Sequence, residues 1–215
     1  MASTIDTAAA LEYFSAHDQK MQRLLHQALT APTPLRLPTP RVPERYFESL
    51  TDAIIGQQIS TKAAASIRAR VHEALGDEVT PERVLATDPA TLRAAGLSDR
   101  KVEYITENAR QWDRFPVQAF ATMPDEAIIA ELTSLRGIGR WTAEMFLLFS
   151  MARPDVFSYG DLGLRQGLCQ LYGYYPHYTR KIRDTVDTWS PHRSLASLTL
   201  WHQRDNRPLS THPAQ

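Results

Sequence analysis

What the 215-residue chain lacks narrows it first. It has one cysteine, Cys169, which excludes an intramolecular disulfide, a cysteine-rich zinc site and a four-cysteine iron–sulfur cluster. No apolar run approaches the ~20 residues that a membrane-spanning helix needs; the longest lies around "MFLLFSMA" and is under half of that. The amino terminus, "MASTIDTAAALEYFSAHDQK", has no basic stretch followed by an apolar one, so no secretory signal is read there. Excess charge is missing too, since 24 basic residues balance 24 acidic ones. Nucleic-acid binders are usually basic, so the whole-chain charge argues against that class. The balance is uneven along the chain: from Ser134 to Arg183 seven basic residues face three acidic ones. A solvated helix surface explains that bias at least as well as a binding face does.

Strand signals are also scarce. No alternation of apolar and polar residues longer than four is convincing, whereas helical periodicity runs through most of the chain. In "SDRKVEYITENARQWDRF", Val102, Ile105, Ala109 and Trp112 recur at steps of three and four behind Ser98 as N-cap. "TPERVLA" pairs a Thr80 cap with Pro81 at the first helical position. "STKAAASIRARVHEALG" runs from a Ser60 cap to a stop at Gly76. "MPDEAIIAELTSL" begins at Pro124; "TRKIRDTVDTW" and "SPHRSLASLTLW" follow, the last opening at Ser190 and Pro191. One helix is expected at the N-terminus. Five prolines in residues 31–43, "APTPLRLPTPRVP", predict an extended surface linker, with a proline-rich ligand segment as the rarer alternative. The polar stretch after Trp201 is expected to fray.

Three segments carry candidate chemistry. "SLRGIGRWTAEMF" breaks two helices at Gly137-Ile138-Gly139 and puts Trp141 in the first turn of the second helix. Glycines permit positive φ and leave no Cβ in the way. The N–H groups of such a turn and of the helix start then form a phosphate site from backbone alone, with Ile138 folding back onto the core. A plain helix corner is the structural alternative. "RPDVFSYGDLGLRQGL" sets Asp161 before an apolar helix, where it reads first of all as an N-cap. "YFESLTDAIIGQQISTKAA" places Gln57 and Gln58 between two helices, as a polar turn or something more.

Together, in order and from about Tyr46 to Trp201, these segments resemble the helix-hairpin-helix (HhH-GPD) DNA glycosylase superfamily, and within it the 3-methyladenine DNA glycosylase II group. The resemblance implies an all-α, two-lobed fold with the active-site cleft between the lobes. Residues 1–45 would supply the N-terminal helix and linker and pack with the C-terminal lobe. Residues 46–155 would form the bundle holding the hairpin, and 156–215 the helices with the catalytic aspartate and a polar tail. Large members carry an extra β-rich N-terminal domain, for which this chain is expected to be too short.

The implied activity is base excision: a damaged nucleotide is flipped out of duplex DNA and its N-glycosidic bond is cut. Asp161 stands where the family keeps its catalytic aspartate, either stabilising positive charge on the sugar or activating water. Lyase-competent relatives have a lysine where this chain has Trp141, and no lysine lies between Ala109 and Arg180. A monofunctional, water-using glycosylase is therefore expected. Trp141 becomes a π-face for cationic alkylated purines such as 3-methyladenine and 7-methylguanine. Met145, Tyr159, Leu162, His192 and Trp201 are the other pocket candidates; Met145, Leu162 and His192 stand where relatives have rings, which leaves the base preference open. Gln58 matches the residue that fills the hole in the duplex, and Gln57 would brace it. Arg136, Gly137, Ile138, Gly139, Arg140 and Thr142 would bind DNA. A Na⁺ or K⁺ held by main-chain oxygens of Thr133, Leu135 and Ile138 would be the only cofactor, with no zinc and no iron–sulfur cluster. The expected partner is duplex DNA, with no membrane. The expected state is a monomer in the cytoplasm at the nucleoid, or in the nucleus of a eukaryote. The competing readings are a glycosylase for deaminated or other modified bases and a non-catalytic helix-hairpin-helix DNA-binding module.

Overall fold

Residues 5–175 and 177–206 are described by a computed structural model, and among them every regular element is helical. The chain divides into two units. One spans Pro40–Phe146; the other takes the chain up to Thr39 and again from Leu147. The sequence placed the bundle at 46–155. The earlier start comes from Arg41 and Arg45, whose guanidiniums reach Glu48 at 3.1 and 2.7 Å and tie the preceding turn to the first helix of the bundle.

The second unit opens with α1 (Thr7–His17) and α2 (Gln19–Thr30). Only one N-terminal helix was expected. Asp18 breaks it: Oδ1 accepts from the N–H groups of Lys20 and Met21 and caps α2, while Oδ2 accepts from the Tyr172 hydroxyl and from Trp189 Nε1 at 2.9 Å. The local cap makes the break, and two donors far along the chain hold the capping carboxylate in place. The proline-rich segment runs extended, and the Leu35 N–H bonds back to the Ala28 carbonyl.

In the first unit, α3 (Tyr46–Gly56) packs on α4 (Thr61–Ala74) and α7 (Asp99–Gln111), while α5 (Pro81–Ala86) and α6 (Pro89–Ala94) pack on α7. α8 (Asp125–Thr133) and the start of α9 (Arg140–Phe149) complete it. The local start signals act as read: Ser60, Thr80 and Ser98 accept from the N–H groups of Ala63, Arg83 and Lys101. Each such cap contributes about 1 kcal/mol. Ile54, Leu92, Ile105, Ile128 and Leu132 are fully buried in this unit.

The second unit resumes within α9 and continues through α10 (Leu162–Tyr172), α11 (Thr179–Asp187) and α12 (Arg193–Asp205). α12 starts after His192, later than the predicted Ser190. α2 packs on α12, and α10 on both α11 and α12. Phe14, Met21, Leu25, Leu164, Leu168, Trp189 and Leu200 meet in one apolar core.

Candidate functional site

In the first unit the hairpin between α8 and α9 is held from two sides. Asn108, buried on α7, donates from Nδ2 to the Arg136 carbonyl and accepts the Arg136 N–H at Oδ1, both at 3.0 Å. Gln57 donates from Nε2 to the Gly137 carbonyl at 2.8 Å. No local pattern marks Asn108, which acts across 28 residues. Gly137 has φ +78°, and a Cβ there would run into the Tyr104 ring, so conformation and packing both demand glycine. Gly139 differs from the expectation. Its φ is not positive, and a Cβ would meet nothing within 4 Å. Its carbonyl accepts from Ala143 N–H, which makes it the residue before the helix, yet it brings no side-chain acceptor to the opening N–H groups of α9. Open space beside Gly139 at the start of α9 is what an anion needs.

The charges around this turn are already matched. Arg140 pairs with Glu126 at 2.6 Å and with Glu144 at 2.9 Å, and Arg136 with Glu103 at 2.8 Å and Glu107 at 3.4 Å. The Glu126 hydrogen bond raises the Arg140 pKa, and the same bond holds the Glu126 carboxyl below its usual value. Ile138 is buried, as its expected anchoring role requires. Thr142, also expected to bind DNA, is buried in the first turn of α9. Trp141 is 48% exposed, and Met145 one turn on is half-buried.

The junction of α3 and α4 carries the two glutamines. Gln57 ends α3; Gln58 follows with φ +60°, a left-handed conformation that non-glycine residues seldom adopt. Gln58 and Ile59 are both exposed at the tip. Lys101 on α7 donates from Nζ to the carbonyls of Ile55 and Gln57 at 2.8 and 2.9 Å. Burial lowers its ammonium pKa from the usual value.

In the second unit Asp161 caps α10, accepting the Leu164 N–H at Oδ1 at 2.8 Å. The same oxygen accepts Nε1–H of Trp201 at 3.2 Å. The Trp201 ring stacks on Phe149, with centroids 5.8 Å apart and planes at 26°. Phe149 was not singled out in the sequence, although it is 45% exposed and its spacing of four from Met145 and eight from Trp141 was visible. Leu162, next to the aspartate, is 67% exposed.

Two further pocket candidates make contacts of their own. His192 lies before α12, nine residues from Trp201, and its ring packs against Tyr13 and Phe14. Burial lowers its pKa, against smaller opposing effects of Asp155 and Asp6. Tyr159 turns to the Phe157 ring, the Arg183 guanidinium and Asp187, whose Oδ1 accepts its hydroxyl at 3.4 Å. Burial first, and the Asp187 charge second, raise its pKa. Of the ring-bearing candidates in this unit, the structure brings Trp201 to Asp161.

Among the described residues, Glu48, Asp52 and His72 cluster closely enough to suggest a metal. Their chemistry does not suit one. Arg41 and Arg45 donate to Glu48, and His72 Nε2 lies 3.0 Å from Asp52 Oδ1, with Arg68 near it at 3.9 Å. The carboxylates are balanced by neighbouring cations.

Comparison with known proteins fits this geometry. Residues 51–191 match the family described as HhH-GPD superfamily base excision DNA repair protein. The DNA-3-methyladenine glycosylase 1 of Schizosaccharomyces pombe is 33% identical over 161 residues, covering 72% of this chain and 71% of that one. A crystal structure of a DNA-3-methyladenine glycosidase from Bacillus halodurans superposes with a TM-score of 0.77 at 32% identity, over 94% of this chain and 90% of that one. A 3-methyladenine DNA glycosylase of S. pombe in complex with abasic DNA gives 0.72 at 28% identity, over 92% and 97%.

Proposed function

Since the chain belongs to the HhH-GPD superfamily of base excision DNA repair proteins, we propose that it is a DNA glycosylase that flips alkylated purines of the 3-methyladenine and 7-methylguanine type out of duplex DNA and releases them by hydrolysis. The observation that carries the reading is the double hold on Asp161 Oδ1. A carboxylate that merely caps a helix needs the Leu164 N–H; the Trp201 indole is a second, long-range donor that fixes the direction of the group.

The chemistry follows from charge. A purine alkylated at ring N3 or N7 in DNA is cationic. When the glycosidic bond breaks, the bond electrons leave with the base, which departs neutral, and positive charge moves to the sugar. A fixed carboxylate stabilises that developing charge in place. Water then adds to the sugar carbon and loses a proton, leaving an abasic site. Trp141 offers a π-face that attracts the cationic base and holds the neutral product less well. With Trp141 where a lysine would attack the sugar, the strand stays uncut. The start of α9 takes a phosphate, and Gln58 enters the gap left by the flipped nucleotide.

The hairpin also suits an alkali cation. Ile138 N–H closes a turn on the Leu135 oxygen, which keeps a second lone pair; neutral main-chain oxygens of Thr133, Leu135 and Ile138 are hard donors of the right kind. Such an ion would add positive charge facing a phosphate.

The test is release of 7-methylguanine and 3-methyladenine from methylated duplex DNA by wild type and Asp161→Asn. Asparagine caps helices about as well as aspartate, so the fold survives and the charge is lost. Release by wild type and a loss of at least a hundredfold in the variant are expected, with abasic products intact until alkali cleaves them. Equal release by both would leave Asp161 a cap and overturn the reading.

A further inference from the structure

The strained residue at the α3–α4 junction is held by Gln57, as the resemblance implies, and also through Lys101, which the resemblance does not account for. Gln58 has φ +60° without being glycine, and a backbone outlier of this kind persists only where its surroundings impose it. Two bonds converge on the residue before it. The Gln57 carbonyl accepts from Lys101 Nζ, which also takes the Ile55 carbonyl, so one ammonium satisfies two acceptors at the end of α3. The Gln57 side chain reaches the Gly137 carbonyl in the hairpin, 80 residues on. The exposed tip of Gln58 and Ile59 is therefore fixed both to α7 and to the phosphate-facing turn.

We propose that Lys101, together with Gln57, is a positioning residue that holds the exposed Gln58–Ile59 tip in its left-handed form and in register with the Gly137–Gly139 hairpin, so that a phosphate bound by the hairpin delivers the tip into the duplex at a fixed offset. This rests on the reading of Gln58 as the residue that enters the duplex. Lys101 itself needs no contact with DNA. Its ammonium spans two carbonyls, and without it the tip relaxes from positive φ and loses its register. Methionine in its place keeps the length and apolar stem and removes both donors; arginine keeps donors.

The experiment uses the full chain and a duplex holding a tetrahydrofuran abasic analogue opposite 2-aminopurine, whose fluorescence reports entry of a side chain into the gap. Single-turnover release of 7-methylguanine, affinity for undamaged duplex and melting temperature are measured alongside. Wild type is expected to change the fluorescence. Lys101→Met is expected to lose most of that change and slow release at least tenfold, while its affinity for undamaged duplex stays within twofold. Lys101→Arg is expected to restore both signals in large part, and Gln57→Leu to reproduce the Lys101→Met pattern. If Lys101→Met fails to fold, the Gln57→Leu and Lys101→Arg pair decides. Unchanged insertion and release in a folded Lys101→Met, or parallel loss of insertion and undamaged-duplex affinity, overturns the proposal. A wild type that inserts but releases no alkylpurine defeats the functional reading alone. A wild type that leaves the fluorescence unmoved overturns the positioning role.

Discussion

Asp161 is shared between a helix and an indole, and the two claims on it can be separated. Trp201→Phe keeps a ring to stack on Phe149 and removes the donor to Oδ1. A hydrogen bond to a charged group contributes about 1.5–3 kcal/mol, and part of that should survive through the Leu164 N–H. We expect single-turnover release to fall roughly tenfold, with KM within twofold and the fold intact; an unchanged rate would reduce Trp201 to packing. His192 makes the contrasting case. Burial against Tyr13 and Phe14 lowers its pKa, so the native state keeps the ring neutral while the unfolded chain protonates near pH 6.5. Its contribution to stability is present above that pH and is lost as the pH falls towards the lowered native value. Melting temperature should therefore drop as the pH falls below about 6.5, and His192→Phe should shrink the drop. An identical pH profile in the variant would show that the ring does not titrate there.

At the scale of elements, the hairpin joins a turn that needs its glycine for folding to one that does not. Gly137→Ala sets a Cβ on a positive φ and against Tyr104. It should cost about 1–3 kcal/mol of stability, read in urea unfolding. Gly139→Ala should unfold like wild type, because the added methyl group meets nothing in the protein, yet bind duplex DNA at least tenfold more weakly. Equal affinity of Gly139→Ala and wild type would remove the phosphate from this turn. What the sequence revealed of these elements follows one rule. Ser60, Thr80, Ser98 and Asp161 act on N–H groups three residues ahead, and such bonds are written locally. The clamp from Asn108 to Arg136 and the bond from Trp201 to Asp161 bridge 28 and 40 residues, and no local pattern encodes them. Phe149 is the exception: its helical spacing from Trp141 and Met145 was legible. Asp18 obeys the same local rule, accepting from the Lys20 and Met21 N–H groups, and its cap went unread; only its bonds to Tyr172 and Trp189 lie beyond local pattern.

For the molecule as a whole, zero net charge and paired hairpin arginines set how DNA binding should respond to salt. Each phosphate neutralised by a cation steepens log K against log salt by about 0.9. A protein that binds phosphate through N–H groups should show a shallow slope. Glu126→Gln weakens the strongest hold on Arg140 and should raise low-salt affinity for undamaged duplex severalfold while steepening the slope by up to about one phosphate's worth. Unaltered affinity and slope would mean that Arg140 stays with Glu144 and serves the hairpin rather than the DNA. The empty space beside Gly139 has a consequence for how sequence change is filtered. Substitution there is invisible to any screen for soluble, well-folded protein, and visible only to one for survival of alkylation damage. In a population under no such damage this position should drift first, and carriers would make normal amounts of a protein that fails only when methylating agents arrive.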